Sequence, residues 1–164
     1  MTVLVVDTNV PIVANGRTPQ AGPSCVLACI DALDDLRLHQ KIVLDNLGRI
    51  LDEYRNNLSA KGQPGVGHVF FKWVWQNQGN TAHCEMVEIH PRSNGEDYEE
   101  FPDDPELARF DRSDRKFVAV ALASGSQPPI LNAVDSDWWV YQEPLRKHGV
   151  KIEFLCPSQF EKDC

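Results

Sequence analysis

Hydrophobic positions along the chain switch repeatedly between two periods. Val3–Val6 is a continuous, mostly β-branched run, the pattern of a strand buried on both faces, and it stops at Asp7-Thr8-Asn9. Residues 15–23 (NGRTPQAGP) are turn-rich. Ser24 is placed to cap a helix to about Leu38, with Val26, Cys29, Ile30 and Leu33 on one stripe. Ile42–Leu44 repeats the short-strand pattern. Asp45 then caps a helix to about Ser59 whose face carries Leu47, Ile50, Leu51, Tyr54 and Leu58. Residues 66–78 (VGHVFFKWVWQNQ) satisfy both periods. Val69, Phe71, Trp73 and Trp75 alternate, but Val66, Val69, Phe70, Trp73 and Val74 share a helical face, and the helix is the expectation. Residues 85–89 (EMVEI) form a small strand. Ser113 opens a helix to about Ser124, ended by Gly125. Ile130–Val134 is a strand, and Ser136–His148 a helix kinked or broken near Pro144. Lys151–Leu155 is the last strand, and Pro157–Lys162 adds a helical turn.

Strands alternating with helices predict an α/β chain with a parallel sheet covered on both faces, and 164 residues suit one domain. In such sheets ligands bind outside the carboxyl ends of the strands. Three expected strands end in aspartate: Asp7, Asp45, and Asp135 with Asp137 close behind. Parallel strands bring these to one rim. Two helical acids join them. Asp114 continues the apolar stripe of Phe117, Val118 and Ala121, where an isolated carboxylate is costly. Glu53 lies beside Ile50 and Tyr54 at the edge of its own stripe.

Carboxylates that converge without a matching cation repel one another, and a divalent cation removes the conflict. Hard oxygen ligands select Mg²⁺ or Mn²⁺, and displacement at phosphorus is the chemistry such a site serves. Asp7, Asp114 and Asp135 are the expected direct ligands. Glu53 is expected to act through water or to orient the nucleophile, with Thr8 and Asn9 bonding a ligand carboxylate or a substrate phosphate. Other acids have plainer roles. Asp45 is a cap, Asp111 a turn residue before Ser113, Asp52 a solvated surface acid. Asp137 belongs either to the site's outer shell or simply to a first helical turn, where negative charge is favoured.

The blocks VVDTN, LDEYRNNL, DRSDRKFVAVALA and NAVDSDWW, in this order and spanning nearly the whole chain, resemble the PIN-domain family of metal-dependent ribonucleases. The resemblance carries the family's acids onto Asp7, Glu53, Asp114 and Asp135, and its small polar position onto Thr8 or Asn9. It implies a three-layer α/β/α fold, Mg²⁺ or Mn²⁺, and cleavage of single-stranded RNA, often as the toxin of a toxin–antitoxin pair. Ala133 stands where the family commonly has Thr. The partners that follow are single-stranded RNA, an antitoxin or other protein, and a second copy of the chain as a homodimer. Two rivals are a non-catalytic PIN-like binding module and a haloacid-dehalogenase-type phosphohydrolase. The latter needs an aspartate where Asn9 stands.

Composition places the chain with globular proteins, at 42% hydrophobic and 24% charged residues. No apolar run is long enough for a membrane span and the N-terminus does not read as a signal peptide, so the expected setting is cytoplasmic. The net charge of −8 is uneven. Residues 91–106 (PRSNGEDYEEFPDDPE) carry −6 of it, as an insertion that is either solvated or docks a basic antitoxin segment. Just beyond it, Arg109, Arg112, Arg115 and Lys116 read equally as a solvated helix start or as phosphate contacts beside Asp114, with Arg112 and Arg115 the candidates for the site. The four tryptophans read mostly as core, and the five scattered histidines carry no assignment. Cys25 and Cys29, four apart on an apolar helix, read as small core residues. A zinc site built from them with His83 and Cys84 is disfavoured by the absence of any CxxC.

Overall fold

The apolar run at the N-terminus is strand β1 (Val3–Val6), buried over its last three residues. The computed structural model describes residues 2–58, 65–93 and 95–161. After β1 follow α1 (Asn9–Ala14), α2 (Pro23–His39), β2 (Lys41–Asp45), α3 (Arg49–Leu58), α4 (Val66–Asn77), β3 (Cys84–Val87), α5 (Arg115–Ala123), β4 (Ile130–Asn132), α6 (Ser136–Val140), α7 (Gln142–Lys147) and β5 (Ile152–Phe154). The strands form one sheet in the order β3-β2-β1-β4-β5, with every pair parallel. Helices α1 to α4 pack on one another, while α5 lies against β1, β2 and β4, giving a three-layer α/β/α architecture. The chain starts in the middle of the sheet, grows outward to β3, then crosses back beyond β1 to add β4 and β5. The strand order therefore reverses between β1 and β4, and a crevice opens at their carboxyl ends.

Local chemistry sets several boundaries differently from the expectations. Helix α2 begins at Pro23 behind Gly22, since proline is pre-organised for a first helical position. Asp45 does cap: its carboxylate accepts from the amides of Leu47 (3.1 Å), Arg49 (3.0 Å) and Ile50 (2.8 Å). That delays α3 to Arg49, and its expected end at Ser59 lies outside the described residues. Residues 66–77 are helical, and α4 crosses α1 so closely that a Cβ at Gly67 would overlap the Pro11 carbonyl. Strand β3 lies one residue earlier than expected and ends at Val87, after which the Ile89 amide turns to Asn46 Oδ1 (3.0 Å). Helix α5 enters through a 3₁₀ turn, Arg112–Asp114. Strand β4 ends two residues early because the amides of Ala133 and Val134 donate to Asn9 Oδ1 (2.9 and 3.1 Å) rather than to a neighbouring strand. The helix expected over 136–148 breaks at Tyr141, not at Pro144. Pro144 sits in the first turn of α7, where its missing N–H costs no intrahelical bond. A 3₁₀ turn, Pro157–Gln159, follows β5, and Lys162 lies outside the described residues.

Two expectations are corrected outright. Cys25 is not a simple core thiol, since it forms a disulfide with Cys156, 131 residues away. Cys29 and Cys84 remain buried thiols. A disulfide persists most readily in an oxidising compartment, which sits against the cytoplasmic expectation. Nor is the acidic insertion a solvated flap. Tyr98 and Phe101 are buried, and Phe101 stacks on Phe110 with ring centroids 5.8 Å apart. The Arg115 guanidinium lies 4.4 Å over the Phe101 ring and pairs with Asp97 at 3.1 Å. Among the described residues, no helix is long and apolar enough to cross a membrane.

Candidate metal centre

The crevice between β1 and β4 is built around Asp7 and Asn9. Asp7 is buried one residue past β1, and both its oxygens are held. Its Oδ1 accepts from the Asn9 backbone amide (2.9 Å) and side-chain amide (2.7 Å), and its Oδ2 accepts from the Trp138 indole N–H (2.7 Å). Asn9 also donates to Asn132 Oδ1 (2.8 Å) while its own Oδ1 accepts from Ala133 and Val134. Every hydrogen-bonding group of this one side chain thus joins the end of β1 to the end of β4. Asn132, fully buried, in turn bonds the Asp135 amide (3.2 Å) and carbonyl (3.1 Å), which fixes where Asp135 leaves the sheet. Asp135 caps α6 through the Asp137 amide at 3.0 Å.

Asp114 arrives from the opposite side, on the 3₁₀ turn ahead of α5. It is 8% exposed, and no hydrogen bond reaches its carboxylate from the described residues. Among the described residues the only fully buried side-chain polar atom without a partner is Thr18 Oγ1, so the unbonded Asp114 oxygens open onto the crevice, where an ion could reach them. Carboxylate oxygens of Asp7, Asp114 and Asp135 all lie within 4.8 Å of one another. A second trio shares Asp114 with the exposed Asp111 and the half-buried Asp137 and meets the same spacing.

Without a cation this arrangement is electrostatically unfavourable. Burial pushes Asp7 up to about 6, opposed by its hydrogen bond from the Asn9 amide and reinforced by Asp135. Burial, followed by repulsion from Asp7 and Asp135, pushes Asp114 up to about 9. Asp137 is raised as well, by burial and then by Asp135 and Asp111.

Glu53 reaches the rim but stands outside both trios. Its Oε1 pairs with Lys116 Nζ at 2.7 Å, and its Oε2 accepts from the Thr8 hydroxyl. The ammonium also donates to the Ser113 carbonyl. The cluster therefore does contain one matched acid, contrary to the expectation that no Lys or Arg accompanies it. Tyr54, next to Glu53, donates to the Val6 carbonyl (2.6 Å) and ties α3 to β1.

Among the residues singled out in sequence, Asp7, Asp114 and Asp135 come together, with Thr8, Asn9, Glu53 and Asp137 around them. Asp45 does not join, because its carboxylate is consumed in capping. Arg115 is also lost to the site. It is buried, and its guanidinium is spent on Asp97 and on the carbonyls of Leu107 (3.4 Å), Ala108 (3.1 Å) and Phe110 (3.2 Å). Arg112 is exposed and lines a cleft of about 340 Å³ with Arg49, Asp52, Glu53, Asn56, Ser113 and Lys116. Three participants escaped the sequence reading: Lys116 as the partner of Glu53, Trp138 as a donor to Asp7, and Asn132. Only Asn132 left a usable signal, as a lone amide closing an apolar strand.

No known protein family, curated protein or solved structure matches this chain.

Proposed function

We propose that this protein is a Mg²⁺- or Mn²⁺-dependent endoribonuclease acting on single-stranded RNA. One observation carries the reading: carboxylate oxygens of Asp7, Asp114 and Asp135, two of them on buried residues, lie within 4.8 Å of one another, and no hydrogen bond from the described residues occupies Asp114. The donor set is all oxygen, which fits a hard divalent cation. Asp7, Asp114 and Asp135 would hold it. When bound, the ion supplies charge that offsets the three carboxylates and polarises a phosphoryl oxygen.

The chain's own groups account for the remaining roles. Asn9 and Trp138 fix the direction of Asp7, so its oxygens need no rearrangement. Glu53, held at both oxygens by Lys116 and Thr8, is positioned to orient an attacking water and accept its proton. Arg112, at the mouth of the cleft, is positioned to contact a phosphate without reading sequence. The PIN-family resemblance supports RNA as substrate, and with it the setting of a toxin held by an antitoxin.

The test measures cleavage of mixed-sequence single-stranded RNA with Mn²⁺ and with chelator. Asp7→Asn and Asp114→Asn are each expected to lower the rate about a hundredfold or more. Cleavage that survives chelation or either substitution rejects the assignment.

A further inference from the structure

The exposed arc of α3 leads away from the acid site to a second feature. At about 100° per residue, Glu53, Arg49, Asn56, Asp52 and Arg55 follow one another around that arc. The first four line the cleft at the site, and Arg55 lies on its far shoulder, paired to Asp52 at 3.0 Å. Beyond Arg55 the surface drops into a groove of about 510 Å³ between α3 and α4, lined by Arg55, His68, Phe71, Lys72 and Trp75. Its floor is aromatic. Trp75 is 46% exposed and its ring centroid lies 6.1 Å from that of Phe71. Its edges carry two exposed cations, Lys72 and the Asp52-paired Arg55, and no acid is among its described lining residues. On a chain of net charge −8, Lys72 beside the exposed Trp75 ring and the half-buried Phe71 sets this groove apart from the acid site.

We propose that this groove is an exosite for the unpaired bases of the RNA strand whose backbone enters the acid site. Bases would stack on Trp75 and Phe71 while flanking phosphates meet Lys72 and Arg55. Stacking platforms edged by cations bind single strands with little sequence preference, because every base has a π face. A helix is about 10–12 Å across with its side chains, a span that a few nucleotides bridge, so one strand can touch both sites across α3. The inference rests on the ribonuclease reading above. The exposed cations meet phosphates as well as they meet an acidic peptide or a second copy of this acidic chain, so the RNA strand is chosen because its bases match the exposed ring and its backbone is already placed at the acid site by that reading.

The experiment uses the full chain carrying Asp114→Asn, so that labelled single-stranded RNA stays intact, and follows binding by fluorescence anisotropy. Strands long enough to cross α3 are compared with trinucleotides and with duplex RNA. Trp75→Ala is expected to weaken long-strand binding about tenfold and to shrink the preference for long over short strands, with Trp75→Phe restoring most of the loss. Lys72→Glu is expected to reduce the slope of log affinity against log salt by about 0.7 or more. Duplex RNA is expected not to respond to Trp75→Ala, since its bases are already stacked. Val140→Ser, a change at an exposed residue far along the chain, controls for surface substitution. Long-strand binding that Trp75→Ala leaves intact overturns the exosite alone. So does a fall in oligomeric mass in Trp75→Ala without loss of RNA affinity, which would assign the groove to contact between copies. No RNA binding at all by the parent protein overturns both the exosite and the ribonuclease reading.

Discussion

Two acid-rich regions of this molecule behave in opposite ways. The insertion over residues 91–106 holds seven acids in a short stretch, and the rim of the sheet gathers three from a span of more than a hundred residues. In the insertion four of the seven acids face a cation or a histidine. Asp97 pairs with Arg115, Glu100 and His90 lie 2.8 Å apart, Asp104 meets His148 at 2.9 Å and Glu106 meets Lys147 at 3.3 Å. The contact with His148 holds Asp104 below its ordinary range, while His90 is raised by Glu100. At the rim the trend is reversed, and Asp7 and Asp114 are driven upward by burial, with no ion pair to either among the described residues. Acid density along a chain therefore says little about chemistry. A carboxylate removed from water and left unmatched is the informative feature.

The comparison can be broken most severely through pH. Asp114 has a folded value far above its unfolded one, so between those values the native state holds a proton that the unfolded state releases. Stability must then fall as pH rises. In chelator, the free energy of unfolding is expected to drop by about 1.4 kcal/mol per pH unit between about pH 6 and 8. Asp114→Asn should flatten that slope, and Mn²⁺ should oppose it in the parent protein, as followed by urea denaturation. A flat profile for the parent protein in chelator would remove the contrast between the two regions.

A smaller effect is expected at the brace that docks the insertion. Arg115→Met removes the guanidinium that Asp97 and the carbonyls of Leu107, Ala108 and Phe110 share and should cost about 3 kcal/mol. The same variant should expose Tyr98 and Phe101 to limited proteolysis around residue 98. The smallest effect belongs to the exposed acids of the insertion. Glu99→Gln and Asp103→Asn are expected to leave both the denaturation midpoint and RNA cleavage unchanged. A change in either would show that the insertion takes part in the chemistry.

Much of this architecture is written in local patterns. The strand positions, the helical reading of residues 66–77 and the capping role of Asp45 follow from side-chain periodicity and from hydrogen bonds that span only a few residues. The parallel sheet follows from alternation of strand and helix, and with it the expectation that Asp7 and Asp135 share a rim. Those features depend on neighbours in sequence, so sequence suffices to determine them. The cysteine pair, the docked insertion and the partner of Glu53 depend on residues 131, 18 and 63 positions apart, where no local period operates. Arg115 and Lys116 make the point most sharply. They are adjacent, both basic and both at the start of α5, yet one turns to brace the insertion and the other turns to Glu53. Sequence alone determined that acids would gather at the carboxyl edge of a parallel sheet. Only tertiary structure decided which of them would be left buried without a counter-charge, because that depends on which cations packing brings within reach and which it commits elsewhere.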